Sequence, residues 1–310
     1  MRNGAQNPIE GRLPDFIGVG GQRCGSTTIW SLLRGDDRLF LPDQKELHYF
    51  TDRDGDYRED ISNYRAYFVG ARAEQLVGEF TPNYLTSKIA CERIQKHLPR
   101  AKIIITLRDP VARAISLYDY RVDRGMERRG IQKAIFADMA RCKGQSEIID
   151  RHHAYCQLSL FSDGVERYLQ AFGTERVHVI LMDDLQADPD LVRVKLGEFL
   201  GMESAVADSS KFDSVESAGW SNRTNTHPRS RLVQCVAKTI MRHVADRDSI
   251  CIRFKRGIAR RAIRLNSIPG KAPVSGGFET ELRAFFREDT RRLGELLNRG
   301  LPWDAPETDR

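Results

Sequence analysis

Residues Asp15-Phe16-Ile17-Gly18-Val19-Gly20-Gly21-Gln22-Arg23-Cys24-Gly25-Ser26-Thr27-Thr28 constrain this chain more than any others. A short apolar run leads into two adjacent glycines, a basic residue, a third glycine and three hydroxyl side chains. Apolar residues at helical spacing follow at Ile29, Leu32 and Leu33. The pattern predicts a strand, a glycine-rich loop and a helix start. Such a turn aims backbone N–H groups and the positive end of a helix dipole at an anion. A plain glycine-rich turn is the alternative, and the strand before it and helix after it weigh against that.

The chain beyond the loop fits an α/β architecture. Lys102-Ile103-Ile104-Ile105-Thr106-Leu107-Arg108-Asp109-Pro110 opens with a run of β-favouring residues, as a buried parallel strand does. Arg108 falls at its C-terminal end, where open α/β sheets bind ligands. Pro110 suits a helix start. Strands are expected at Phe16–Val19, Leu76–Val77, Lys102–Thr106 and Val177–Met182. Helices are expected over Val165–Phe172, after Asp188-Pro189 as far as Leu200, and over Leu282–Leu297. Alternation of this kind predicts a P-loop-like parallel sheet flanked by helices on both faces.

The triphosphate-binding pattern G-x-x-x-x-G-K-[ST] almost fits the loop. Gly20, Gly25 and Thr27 match, but Ser26 stands where the lysine belongs. The loop carries its cation earlier, at Arg23, whose guanidinium can fork onto a phosphate or sulfate. The loop therefore suits an anionic nucleotide that is not bound as a metal-bridged triphosphate. Val177 to Asp184 is apolar and ends in two acids, which favours a kinase or nucleotidase with Asp183 or Asp184 on magnesium. Without the loop lysine, that site is incomplete.

Gly-Gln-Arg-Cys-Gly-Ser-Thr-Thr at positions 21–28 resembles the 5′-phosphosulfate loop of sulfotransferases that use 3′-phosphoadenosine 5′-phosphosulfate (PAPS), especially bacterial enzymes similar to heparan-sulfate and carbohydrate sulfotransferases. The resemblance assigns Arg23, Cys24, Gly25, Ser26, Thr27 and Thr28 to the nucleotide. Arg23 replaces the usual lysine and keeps its charge, which makes it a catalytic candidate for stabilising charge on the bridging oxygen and sulfate, although a guanidinium holds its proton too tightly to donate it. Leu107-Arg108-Asp109-Pro110 with Arg113 and Ser116 resembles the motif that grips the 3′-phosphate, which implies Arg108 and Ser116 as its contacts.

Gln44-Lys45-Glu46-Leu47-His48-Tyr49-Phe50 resembles the family's K-E-x-H-x-F segment. Transfer to an alcohol needs a group to take the hydroxyl proton, and a carboxylate close to the sulfate can do so. The resemblance makes Glu46 the general base and His48 a second polar or substrate-positioning group. In an extended segment the two would point the same way. A solvated charged loop anchored by Tyr49 and Phe50 is the bland alternative. Val77 to Leu85 resembles G-E-x-[ST]-P-x-Y, with Phe80 where some relatives carry a lysine. Glu79 suits a structural role as well as a functional one. Asn222 to Leu232 resembles a further family segment that folds over the phosphate end, with Arg223 as its contact.

The chain has 310 residues, 40% hydrophobic and 30% charged, with a formal charge of +6. These values fit a globular protein with a modest positive field, suited to an anionic cofactor. No recognition-helix, zinc-finger or RNA-binding signature points to nucleic acid. Six cysteines form no C-x-x-C pair or metal spacing. Met1 to Pro14 is polar, and no run is apolar enough to span a bilayer. The expectation is a cytoplasmic enzyme with PAPS as donor, no metal, and a carbohydrate or glycolipid acceptor.

The expected organisation is a flexible tail over 1–13 and one domain over 14–304, with a basic helical segment at 228–265. In that segment Lys238, Arg242, Arg253, Lys255, Arg256, Arg260, Arg261 and Arg264 are interleaved with apolar residues. A basic amphipathic helix can lie on an anionic membrane, cover an acceptor cleft, or simply face solvent. A non-catalytic anion- or membrane-binding protein is the remaining alternative.

Overall fold

The computed structural model describes residues 11–52, 55, 57–142, 153–202, 226–228, 230, 232–233, 236–237, 262, 267–269 and 275–304. In chain order the main elements are β1 (Phe16–Gly18), α1 (Ser26–Arg34), β2 (Leu39–Phe40), β3 (Leu76–Phe80), α2 (Lys88–His97), β4 (Lys102–Leu107) and α3 (Pro110–Asp123). There follow α4 (Ile131–Cys142), α5 (Ser162–Phe172), β5 (Val177–Leu181), α6 (Met182–Ala187), α7 (Pro189–Leu200), β6 (Thr226–Pro228), β7 (Ser267–Pro269) and α8 (Gly276–Leu297). The chain divides into two compact units, one of residues 1–109, 161–220 and 289–310, the other of residues 110–160 and 221–288.

The first unit is a five-stranded, all-parallel sheet in the order β2-β3-β1-β4-β5. Phe16 pairs with Gly78 on one side and with Lys102 on the other, so β1 is central. Side chains alternate between the two faces of a strand. Ile103, Ile105 and Leu107 join Ile17, Val77, Tyr168 and Phe172 on one face. Ile104 joins Phe16, Phe80, Ile29, Leu33, Leu196 and Leu200 on the other. Both faces are covered by helices, which is why the strands read as continuous apolar runs. Local codes set the helix ends: Ser87 accepts from the Ala90 N–H before α2, and Asp188 accepts from the Leu191 N–H before α7.

The second unit packs α3, α4 and the first part of α8 around Leu117, Tyr118, Ile135, Tyr155, Phe278 and Phe286. Asp138 is buried and accepts from the Cys156 and Gln157 N–H groups, which ties 153–160 to α4. β6 and β7 pair antiparallel.

Several expectations shift. The strand β2 is only two residues long and escaped the sequence pattern, because its pairing with β3 supplies what its own length cannot. β3 runs on to Phe80, and Met182 opens α6 instead of closing β5. Pro228 ends a strand where the sequence suggested a helix start. α8 begins at Gly276, ahead of the expected start at Leu282. The eight basic residues of the 228–265 segment lie outside the described residues. Among the described residues, no helix is long and apolar enough to cross a membrane.

Candidate active site

The site grows from the C-terminal edge of the sheet in the first unit. Neighbouring strands β1 and β4 lead off in opposite directions, β1 towards β2 and β4 towards β5. Such a switch point opens a crevice at the strand ends. The loop from Val19 to Gly25 lies there. The Gly21 N–H donates to the Thr106 carbonyl at 2.9 Å. At Gly20 a Cβ would stand 2.1 Å from the Thr106 nitrogen, so only glycine lets the loop approach β4 this closely. Gly25 takes φ 87°, a left-handed conformation that glycine tolerates, and turns the chain into α1.

The start of α1 has no side-chain cap and no acid in its first turn. The first N–H groups of a helix have no carbonyl partner within it. Those of Ser26, Thr27 and Thr28 are therefore without a partner inside α1. Arg23 is half-buried in a left-handed conformation of φ 71°. Cys24 is buried in the core beneath the loop, so its backbone and not its thiol is what it can offer a ligand.

The segment after β2 brings the charged groups. Glu46 and His48 do meet, with the His48 Nε2 3.2 Å from Glu46 Oε2. They do so through a bent backbone, and not the extended one expected: His48 is left-handed at φ 56° and leads into a short 3-10 turn over Tyr49–Thr51. Burial pushes the Glu46 carboxyl up. The His48 hydrogen bond and the Lys45 ammonium outweigh it, so its net shift is downward and the carboxylate stays ionised. His48 is buried, and its Nδ1 has no hydrogen-bond partner among the described residues.

Lys45 is the residue that sequence reasoning missed. Its Nζ lies 3.5 Å from Ser26 Oγ, 3.4 Å from Thr27 Oγ1 and 3.7 Å from Glu46 Oε1. Burial lowers its pKa, and the Glu46 and Glu79 carboxylates pull it back up only in part. A signal was present, since Lys45 adjoins the proposed base. Nothing local, however, says that it reaches a loop so far upstream.

A buried network holds this segment in place. Thr81 Oγ1 accepts from the Leu47 and His48 N–H groups at 3.1 and 3.4 Å and donates to Glu79 Oε2 at 2.8 Å. Tyr64 donates to Glu79 Oε1, and the Tyr84 hydroxyl accepts from the Phe50 N–H. The Thr81 N–H donates in turn to the Gly18 carbonyl, and the Leu85 N–H to Val19. Glu79 is therefore a support of the site. Burial pushes its pKa up to about 7. Phe80 packs edge-on against Phe16 in the core, so that position offers no polar group.

Arg108 lies half-buried just past β4 in the first unit; burial raises the pKa of nearby Asp183, and the Arg108 charge offsets only a small part of that. Asp184 is held by Arg299 in a two-point ion pair at 3.0 and 3.1 Å. Of the two acids that the kinase alternative offers to magnesium, this one is already engaged by a guanidinium. Ser116 lies half-buried on α3 of the second unit. Arg113, on the same helix, is fully buried and donates to the Tyr155 carbonyl and Ser159 Oγ, which is a structural role. Arg223 lies outside the described residues.

These residues fit the 5′ end of a sulfated nucleotide: an uncapped helix start, a loop whose glycines leave room for backbone approach, and cations at Arg23 and Lys45. Comparison with known proteins places the chain in a family. Residues 13–243 match the family model described as Sulfotransferase domain. The chain is 29% identical to mouse heparan sulfate glucosamine 3-O-sulfotransferase 5 over 178 residues, which is 57% of this chain and 50% of that protein. It therefore spans about half the length of that relative. It is 23% identical to mouse heparan sulfate glucosamine 3-O-sulfotransferase 3B1 over 304 residues, covering 93% of this chain and 67% of that one. A sulfotransferase structure from Alicyclobacillus acidocaldarius superposes with a TM-score of 0.67 at 24% identity, covering 95% of this chain and all of that one.

Proposed function

Because the chain belongs to the sulfotransferase domain family, we propose that it transfers the sulfuryl group of PAPS to an acceptor hydroxyl or amine. The observation that carries this reading is the meeting of Glu46, His48 and Lys45 with the uncapped start of α1. When bound, PAPS supplies an activated sulfuryl group. The N–H groups around Gly25 to Thr28, with Arg23, hold its 5′-phosphosulfate end and stabilise charge that builds there. Arg108, at the end of β4, takes the 3′-phosphate. The assignment of Ser116 to that phosphate rests on the motif alone.

Glu46 takes the acceptor proton. Its lowered pKa keeps it deprotonated, and the hydrogen bond from His48 fixes the carboxylate's direction. No metal is needed in this scheme, since the protein's own cations supply the positive charge. The acceptor class we favour is carbohydrate, free or on a lipid, because relatives are named as glucosamine sulfotransferases.

Calorimetric titration with 3′-phosphoadenosine 5′-phosphate (PAP), against ATP with magnesium, tests this reading. Tight PAP binding that Arg108→Ala weakens at least tenfold is the expected result. Preference for magnesium-ATP would sink it.

A further inference from the structure

Within the nucleotide loop, residues 18–28, the one basic side chain is Arg23. The lysine that a triphosphate loop places after its last glycine is here Ser26. Lys45 reaches that spot from the segment after β2, 19 residues further along the chain, and stands over the hydroxyls of Ser26 and Thr27. Its side chain is only 12% exposed.

This position is electrostatically unfavourable for a lysine with no ligand. A helix start carries roughly half a positive charge, which repels a cation. An acid in the first turn would relieve it, and α1 has none. Contacts of 3.4 and 3.5 Å to hydroxyls are longer than ordinary hydrogen bonds and offset little of the lost hydration. Among the described residues, Glu46, at 3.7 Å, is the carboxylate with which Lys45 forms an ion pair. The charge of Glu46 is thus set against both the Lys45 ammonium and the positive start of α1. An anion lying there removes the conflict.

We propose that Lys45 binds the 5′-phosphosulfate end of the nucleotide, in place of the missing loop lysine, and holds the charge left on the 5′-phosphate oxygen. This inference rests on the sulfuryl-transfer reading. In the transfer, the bond from sulfur to that phosphate oxygen breaks and its electron pair stays on the oxygen. A new bond forms between sulfur and the acceptor oxygen or nitrogen, and the acceptor's proton passes to Glu46. Lys45 stays protonated throughout and donates a hydrogen bond to the phosphate oxygen. Arg23 can add charge from the loop side. The ammonium's compact charge on a flexible stem is what can follow the oxygen as it leaves.

Two ligands separate this role from a structural one: PAP, and adenosine 3′-monophosphate, which lacks the 5′-phosphate. Each is titrated calorimetrically into the wild-type chain and into Lys45→Met, Lys45→Arg and Arg108→Ala. Lys45→Met should weaken PAP at least tenfold and leave adenosine 3′-monophosphate within twofold. Lys45→Arg should recover most of the PAP affinity. Arg108→Ala should weaken both ligands. Release of PAP from PAPS, with water as acceptor, should fall at least a hundredfold in Lys45→Met. Wild-type PAP affinity in Lys45→Met overturns the inference and leaves the sulfuryl-transfer reading standing. Equal loss of both ligands in Lys45→Met also overturns it, because that marks a structural role. A wild-type chain that binds neither ligand overturns the sulfuryl-transfer reading, and the inference with it.

Discussion

Glu79→Gln is predicted to make the first unit less sensitive to rising pH. Glu79 is 1% exposed, and burial raises its pKa from 4.5 to about 7 against the pull of Thr81, Tyr84 and Tyr64. In the unfolded chain the carboxyl ionises at its ordinary value. Between that value and about 7 the folded protein keeps a proton that the unfolded chain has lost. Stability from this group is thus complete at low pH and is lost as pH rises through the folded value. The gap between the two pKa values is worth roughly 3 kcal/mol, at ~1.36 kcal/mol per pH unit. Glutamine cannot ionise, so the variant escapes this loss. Urea unfolding followed by tryptophan fluorescence can read it, since Trp30 and Trp303 both belong to the first unit. The stability difference between variant and wild type should grow by roughly 2.5 kcal/mol in the variant's favour between pH 5 and pH 8. Taking that difference cancels the titration of every other group that the substitution leaves alone. A difference that does not change with pH would refute the assignment of a protonated, buried Glu79.

Two further substitutions probe the site and its frame. Glu46→Gln should fold and bind PAP as the wild type does, yet lose about 10²- to 10⁴-fold in PAPS-dependent turnover, the range expected for a lost general base; retained turnover would remove Glu46 as the base. Arg113→Ala should destabilise the second unit by ~2 kcal/mol or more in urea unfolding, because it empties a buried site and removes the guanidinium that donates to both the Tyr155 carbonyl and the Ser159 hydroxyl. An unchanged unfolding curve would mean that this guanidinium is not structural.

The sequence by itself determined the parts of this protein that follow local rules. An apolar run ending in Gly20 and Gly25 specified strand, loop and helix start. Ile103 to Leu107 specified a strand buried on both faces, and Asp188-Pro189 fixed the start of α7. These codes lie in steric limits on φ, in side-chain periodicity and in caps, all within a few residues of the groups they control. Family motifs pointed to Glu46 and Arg108 as candidates. The tertiary structure decided what depends on strand order. It placed Lys45 over Ser26 and Thr27, and hung Leu47 and His48 from Thr81. It turned Glu79 into a buried support, gave the two-residue β2 a partner, and tied Asp184 to Arg299. Apart from the Thr81–Glu79 bond, each of these contacts joins segments well separated in the chain. No local pattern encodes them, because it is the packing of parallel strands that brings their C-terminal ends together and sets which loop faces which.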